Sequence, residues 1–168
     1  MNQKHSGLDL NGILRRLPDA VAFIKGSGEY PQINGSVRFY QTQTGVLVAA
    51  AVLELPEDGR CGNGIFAFHI HGGSSCTGSA EEPFADVGVH YDTASCPHPY
   101  HSGDMPPLFS ANGTAFLAFL TDRFTAREII GKTVIIHDMP DDFTTQPSGN
   151  AGKKIACGEI MGVKRNLR

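Results

Sequence analysis

The chain has 168 residues, a formal net charge of −3 at pH 7, 40% hydrophobic residues and 18% charged residues. That length supports one domain with a real core, and the charge balance gives no reason to expect nucleic acid or an anionic membrane surface as a partner. Twenty glycines and ten prolines favour turns and short strands over helices, and no apolar run is long enough to span a membrane.

The polar start, residues 1–7, lacks the pattern of a secretory signal. It predicts a cytoplasmic chain as it stands, and an extracytoplasmic one if a leader has been removed. Residues 8–17 suit one or two helical turns before Pro18, an extension (1–17) outside a domain spanning 18–168. Short strand-like runs follow at 20–25, 36–43 and 46–55. In the second of these Val37, Phe39 and Gln41 alternate with Arg38, Tyr40 and Thr42, and Thr44-Gly45 is a hairpin signal. Residues 64–71 read as a strand with Phe66 and Phe68 on one face. Alternation puts His69 and His71 together on one side and Ile70 on the other.

From 72 to 107 regular patterning stops. A loop of that length inside a compact domain is normally functional or disordered. Strand signals return at 114–120 and 132–137. A shorter loop covers 138–153, and 154–160 closes the chain. About eight strands and no strong helix predict an all-β, antiparallel sandwich or barrel with two long functional loops.

Six of the seven histidines, His69, His71, His90, His98, His101 and His137, gather around these loops; only His5 lies elsewhere. One histidine on a strand is usually a hydrogen-bonded structural residue. Six around irregular loops point to metal, because neutral imidazole suits copper and zinc. His69-Ile70-His71 places two rings on one strand face about 6.5–7 Å apart, near enough to converge on one ion. His98-Pro99-Tyr100-His101-Ser102-Gly103-Asp104 packs two imidazoles and a carboxylate into seven residues, a loop suited to one side of a tetrahedral zinc.

Taken together, these segments resemble the Cu/Zn superoxide dismutase family. Phe68-His69-Ile70-His71 is similar to its copper-binding strand. His90-Tyr91-Asp92 resembles its bridging-histidine segment, and His101-Ser102-Gly103-Asp104 its zinc motif. Ile136-His137-Asp138, followed by Asp141-Asp142, resembles the last copper ligand and its acidic sequel. Gly149-Asn150-Ala151-Gly152-Lys153-Lys154-Ile155-Ala156-Cys157-Gly158 resembles the closing signature. The matches run in order over nearly the whole chain.

The resemblance implies an immunoglobulin-like, eight-stranded Greek-key sandwich or barrel. It implies copper on His69, His71, His90 and His137. Zinc would take His90, His98, His101 and Asp104, with His90 bridging both ions. Asp141 would orient His71 and a zinc ligand, and Cys76 and Cys157 would form a structural disulfide. The substrate would be superoxide, with His90 and Lys154 as the catalytic residues. The partner is thus a small anion, with no nucleic acid and no membrane, and a homodimer is left open.

Three features depart from the family. The stretch from His98 to His101 is short. Loop 138–153 is also short, which reduces the charged channel. Lys154 stands where the family usually has arginine; it keeps the charge but loses the planar fork, so activity survives with a weaker substrate interaction. Cys61 and Cys96 lie outside the family pair: a buried thiol for each is the plain reading, with a second bridge or metal capture by Cys96 as alternatives. Arg123, Arg127 and Lys132 read as a solvated face, and Tyr91 and Tyr100 as loop packing. Two rival functions stand beside dismutation. One is copper or zinc storage or delivery without turnover. The other is a zinc hydrolase built on His98, His101 and Asp104, for which no general base is visible.

Overall fold

The computed structural model describes residues 9–57 and 64–164. Nine strands form one antiparallel sheet: β1 (Ala20–Gly26), β2 (Asn34–Gln41), β3 (Val46–Leu53), β4 (Ile65–Phe66), β5 (Phe68–His71), β6 (Leu108–Ala111), β7 (Thr114–Thr121), β8 (Thr133–His137) and β9 (Lys154–Gly162). Their order is β4-β6-β7-β3-β2-β1-β9-β8-β5. The run expected at 64–71 is broken only at Ala67, so β4 and β5 are one bent strand pairing β6 at one end and β8 at the other. That covalent link brings the two edges of the sheet together into a barrel and recovers the eight-strand expectation.

The barrel interior follows from alternation. Val37 and Phe39 of β2, Val48 and Ala50 of β3, Phe68 and Ile70 of β5, and Val134 and Ile136 of β8 all join one buried core. On β5 and β8 the other face is buried as well, because the loops lie over it. His69 pairs with Ile135 and His71 with Thr133 across these strands, so the histidines stand on the outer wall, beneath the loops.

The N-terminal extension is helical over Leu10–Arg15, capped by Asp9, which accepts from the Gly12 N–H. Its Ile13 packs on Tyr40, Leu47 and Ala49, the outer side of β2 and β3. Arg16 pairs with Asp19 and lies over the Tyr40 ring. No helix of the described residues is long and apolar enough to cross a membrane.

Candidate metal centre

Main-chain bonds clip the long loop, 72–107, onto the histidine strand. The Tyr91 N–H donates to Ile70 O at 2.8 Å, the Ile70 N–H to Gly103 O at 2.9 Å, and the Gly103 N–H to Tyr91 O at 2.7 Å. Isolated ladder contacts then set His90 beside His71 and Asp104 beside His69. Phe84 and Val87 pack on Ile135 and Cys157 beneath the same loop. The Cys76–Cys157 disulfide closes over that cluster and ties the loop to β9.

Two groups of side chains result. The ligand atoms of His69, His71, His90 and His137 lie within 4.8 Å of one another, and so do those of His90, His98, His101 and Asp104. His90 belongs to both. All seven side chains but His101 are fully buried by residue accessibility or nearly so. The Asp104 carboxylate has His90 Nδ1 at 2.7 Å, His98 Nδ1 at 3.2 Å and His101 Nδ1 at 3.3 Å.

The hydrogen bonds assign a job to the ring nitrogens of His69, His71, His98 and His137. His71 Nδ1 donates to Gly88 O at 2.8 Å and His137 Nδ1 to Gly152 O at 3.4 Å. His69 Nε2 and His98 Nε2 both donate to the Asp141 carboxylate, at 2.7 and 2.9 Å. The opposite nitrogens of these four, His69 Nδ1, His71 Nε2, His98 Nδ1 and His137 Nε2, and with them His90 Nε2 and His101 Nδ1, are buried without a hydrogen-bond partner. Buried polar atoms are rarely left so. When the outer nitrogen carries the proton, the inner one presents a lone pair, as a metal ligand must. The donor sets fit two ions: one group is all imidazole, the other three imidazoles and a carboxylate.

Burial keeps the rings of His69, His71 and His137 neutral. Burial, helped by the neighbouring imidazoles and opposed by the Gly88 carbonyl, lowers His71 to about 2. Burial and His69 lower His137 to about 3, and burial lowers His69 as well. Burial alone would raise Asp141, but hydrogen bonds from His69, the Phe143 N–H and His98 outweigh it and hold the carboxyl down to about 2.

Copper/zinc superoxide dismutase (SODC) is the family whose model matches residues 33–160. The chain belongs to the Cu/Zn superoxide dismutase family. It is 33% identical to the Cu-Zn superoxide dismutase of Legionella pneumophila over 150 residues, covering 84% of this chain and 86% of that one. It is 32% identical to the Photobacterium leiognathi enzyme over 141 residues, 76% and 78% of the two chains. An extracellular Cu-Zn superoxide dismutase of Drosophila melanogaster is 30% identical over 171 residues, 89% and 88% of the two chains.

Against that family background, one expectation is corrected. Asp141 does not orient His71; it joins His69 to His98, while Gly88 O orients His71. The second loop carries Asp141 to the rings of His69 and His98, and Gly149 lets its backbone come close. Gly149 has φ +69°, and a Cβ there would strike the Asp141 carboxylate and His98 Nε2. Lys154 pairs across the ladder with His137, and its Nζ lies 3.2 Å from Glu82 Oε1.

Other side chains also differ from their plain readings. Arg123 is exposed, yet its Nη1 bonds three carbonyls of the histidine loop. Lys132 stands over the Tyr91 ring, 4.3 Å from its centroid. Tyr91 joins the core, whereas Tyr100 is 65% exposed. Cys96 is a free, half-buried thiol and belongs to neither group. Cys61 and His5 lie outside the described residues. No local pattern marks Arg123; only the long-range contact reveals it.

Proposed function

We propose that this chain is a superoxide dismutase, with copper on His69, His71, His90 and His137 and zinc on His90, His98, His101 and Asp104. The observation that carries the reading is the set of six buried ring nitrogens without a hydrogen bond, aimed into two adjoining groups that share one ring; two of them, His98 Nδ1 and His101 Nδ1, stand 3.2 and 3.3 Å from the Asp104 carboxylate. Bound copper supplies a one-electron couple that takes two superoxide anions and two protons to oxygen and hydrogen peroxide, while zinc does not change oxidation state.

The chain's own groups do the rest. His69, His71 and His137 hold three neutral lone pairs in fixed directions. His90 turns Nδ1 toward the carboxylate group and Nε2 toward the all-imidazole group, so Nε2 is the atom placed to take up and release a proton. Asp141 locks the rings of His69 and His98 from behind. Lys154, beside His137, draws a small anion toward the site although the chain is negative overall. The Cys76–Cys157 bridge suits an oxidising compartment.

Metal storage or delivery is the rival reading, and turnover separates the two. Copper- and zinc-loaded protein should dismutate superoxide well above an equal concentration of free copper under chelating controls. Lys154→Gln should lower kcat/KM about 3- to 10-fold at low ionic strength and flatten its salt dependence. Full metal occupancy without turnover above the control would leave the storage reading in place.

A further inference from the structure

The short loop 97–104 bears three of the four residues of the carboxylate-containing group. It has few bonds of its own: Tyr100 N–H to Pro97 O at 2.9 Å, Asp104 N–H to His101 O at 3.2 Å, and His101 N–H to the Asp104 carboxylate at 3.0 Å. Such a segment would sample many shapes. Main-chain bonds of Gly103 with Tyr91 and Ile70 and the contact between the Ser102 and Thr93 hydroxyls anchor its far end, and two side chains from distant parts of the sequence hold its ligand-bearing backbone.

The first is Arg123, just beyond β7. Its Nη1 lies 3.0 Å from Pro99 O, 3.4 Å from His101 O and 3.3 Å from Asp104 O. One charged nitrogen thus gathers carbonyls from across the loop, including those of two residues of the group. The second is Gln146, in the other loop. Its Oε1 accepts from the His98 N–H at 3.0 Å, and its Nε2 donates to His98 O at 2.7 Å. A primary amide that bonds both peptide groups of one residue fixes that residue's main chain, while Asp141 fixes its ring. Between them the two side chains hold the backbone of every loop residue in the group.

We infer that Arg123 and Gln146 are positioning residues that set zinc affinity by holding loop 97–104 in its receptive shape before the ion arrives. This rests on the zinc reading of the group given above. Ligands already held in place lose less freedom on binding, and partners one shell out typically change metal affinity 10- to 100-fold when removed. The copper-type group should feel little of this, because three of its four rings stand on β5 and β8 or turn directly from them.

The test uses the full chain with Arg123→Met, Arg123→Lys, Gln146→Met and the double Met variant. Methionine keeps stem length and removes the hydrogen bonds; lysine keeps a charged donor. Zinc dissociation constants from chelator competition should rise about 3- to 10-fold in each Met variant and about 10- to 100-fold in the double variant. Arg123→Lys should recover part of the loss. Copper affinity should stay within about twofold. Cobalt(II) placed in the group should show altered ligand-field bands, and in the metal-free chain the His98 amide should exchange faster in Gln146→Met.

Unchanged zinc affinity and exchange would overturn the inference. So would equal losses of zinc affinity, copper affinity and melting temperature, because that pattern means general loosening. If the unaltered chain takes up neither zinc nor cobalt, the site reading falls, and the positioning role falls with it.

Discussion

Asp141→Asn tests the link between the two groups most directly. The Asp141 carboxylate accepts from His69 Nε2 at one oxygen and from His98 Nε2 and the Phe143 N–H at the other. Asparagine keeps the shape but has one acceptor oxygen, and its NH2 must face a ring N–H. One ring loses its acceptor, or moves its proton to the nitrogen that should face the metal. His69 stands on β5 within the ladder, its side chain fully buried, whereas His98 is carried by a loop. The loop ring should give way.

An unsatisfied buried donor costs about 1–3 kcal/mol, and each 1.4 kcal/mol is about tenfold in affinity. Zinc affinity should therefore fall about 10- to 100-fold while copper affinity changes less than about threefold. Competition with chelators of known strength reads both constants on the same sample, and cobalt(II) spectra report the zinc-type group alone. A copper loss equal to or larger than the zinc loss would refute the argument that strand-borne and loop-borne rings differ in freedom.

Two further outcomes follow from the same framework. The disulfide closes a sequence separation of 81; on the chain-entropy account that is worth about 4–5 kcal/mol, so metal-free Cys76→Ser/Cys157→Ser should melt about 10–15 °C lower by calorimetry, and a change under about 3 °C would show that the 72–107 loop is held without it. Metal-free stability should also depend on acidity: His71 and His137 titrate near 2 and 3 in the fold against an ordinary 6.5, so their neutral-state stability is complete above pH 6.5 and is lost as pH falls, by about 3 kcal/mol per unit for the pair. Denaturant midpoints between pH 7 and 4.5 measure that slope, and a flat profile would mean that the rings do not stay buried without metal.

Much of this was legible in the residues, and for physical reasons. Strand alternation alone places His69 and His71 on one side of β5, and the core accepts Phe68 and Ile70 on the other. The density of histidines around two irregular loops announces a metal centre. Contacts that depend on the angle at which loops approach were not legible. Nothing local distinguishes His69 from His71 as the partner of Asp141. Arg123 and Gln146 are single polar residues in turns, indistinguishable by pattern from solvated ones. Strand β6 is four residues long and follows Pro106-Pro107, so it gave too little periodicity to register. The helix dock was hidden because Tyr40 is buried on the outer side of the sheet, under Ile13, where alternation alone predicts solvent.

The buried ring nitrogens also bear on why so much of the molecule is closed: those of His69, His71, His90 and His137 lack any hydrogen-bond partner, while those of His98 and His101 face the Asp104 carboxylate. Each buried acceptor without a partner costs about 1–3 kcal/mol, and four of them together approach the whole net stability of an ordinary domain, about 5–15 kcal/mol. A chain that carries such a site before metal arrives must offset the cost elsewhere. Here the offsets are a barrel closed through Ala67, a covalent tie from loop to β9, and a carboxylate that satisfies two rings at once. Their arrangement keeps the rings convergent where relaxation would let them swing apart and bond to water. The same strain is relieved when ions bind, so metal uptake and folding stability are coupled. The loops most distant from a strand ladder should gain the most from that coupling.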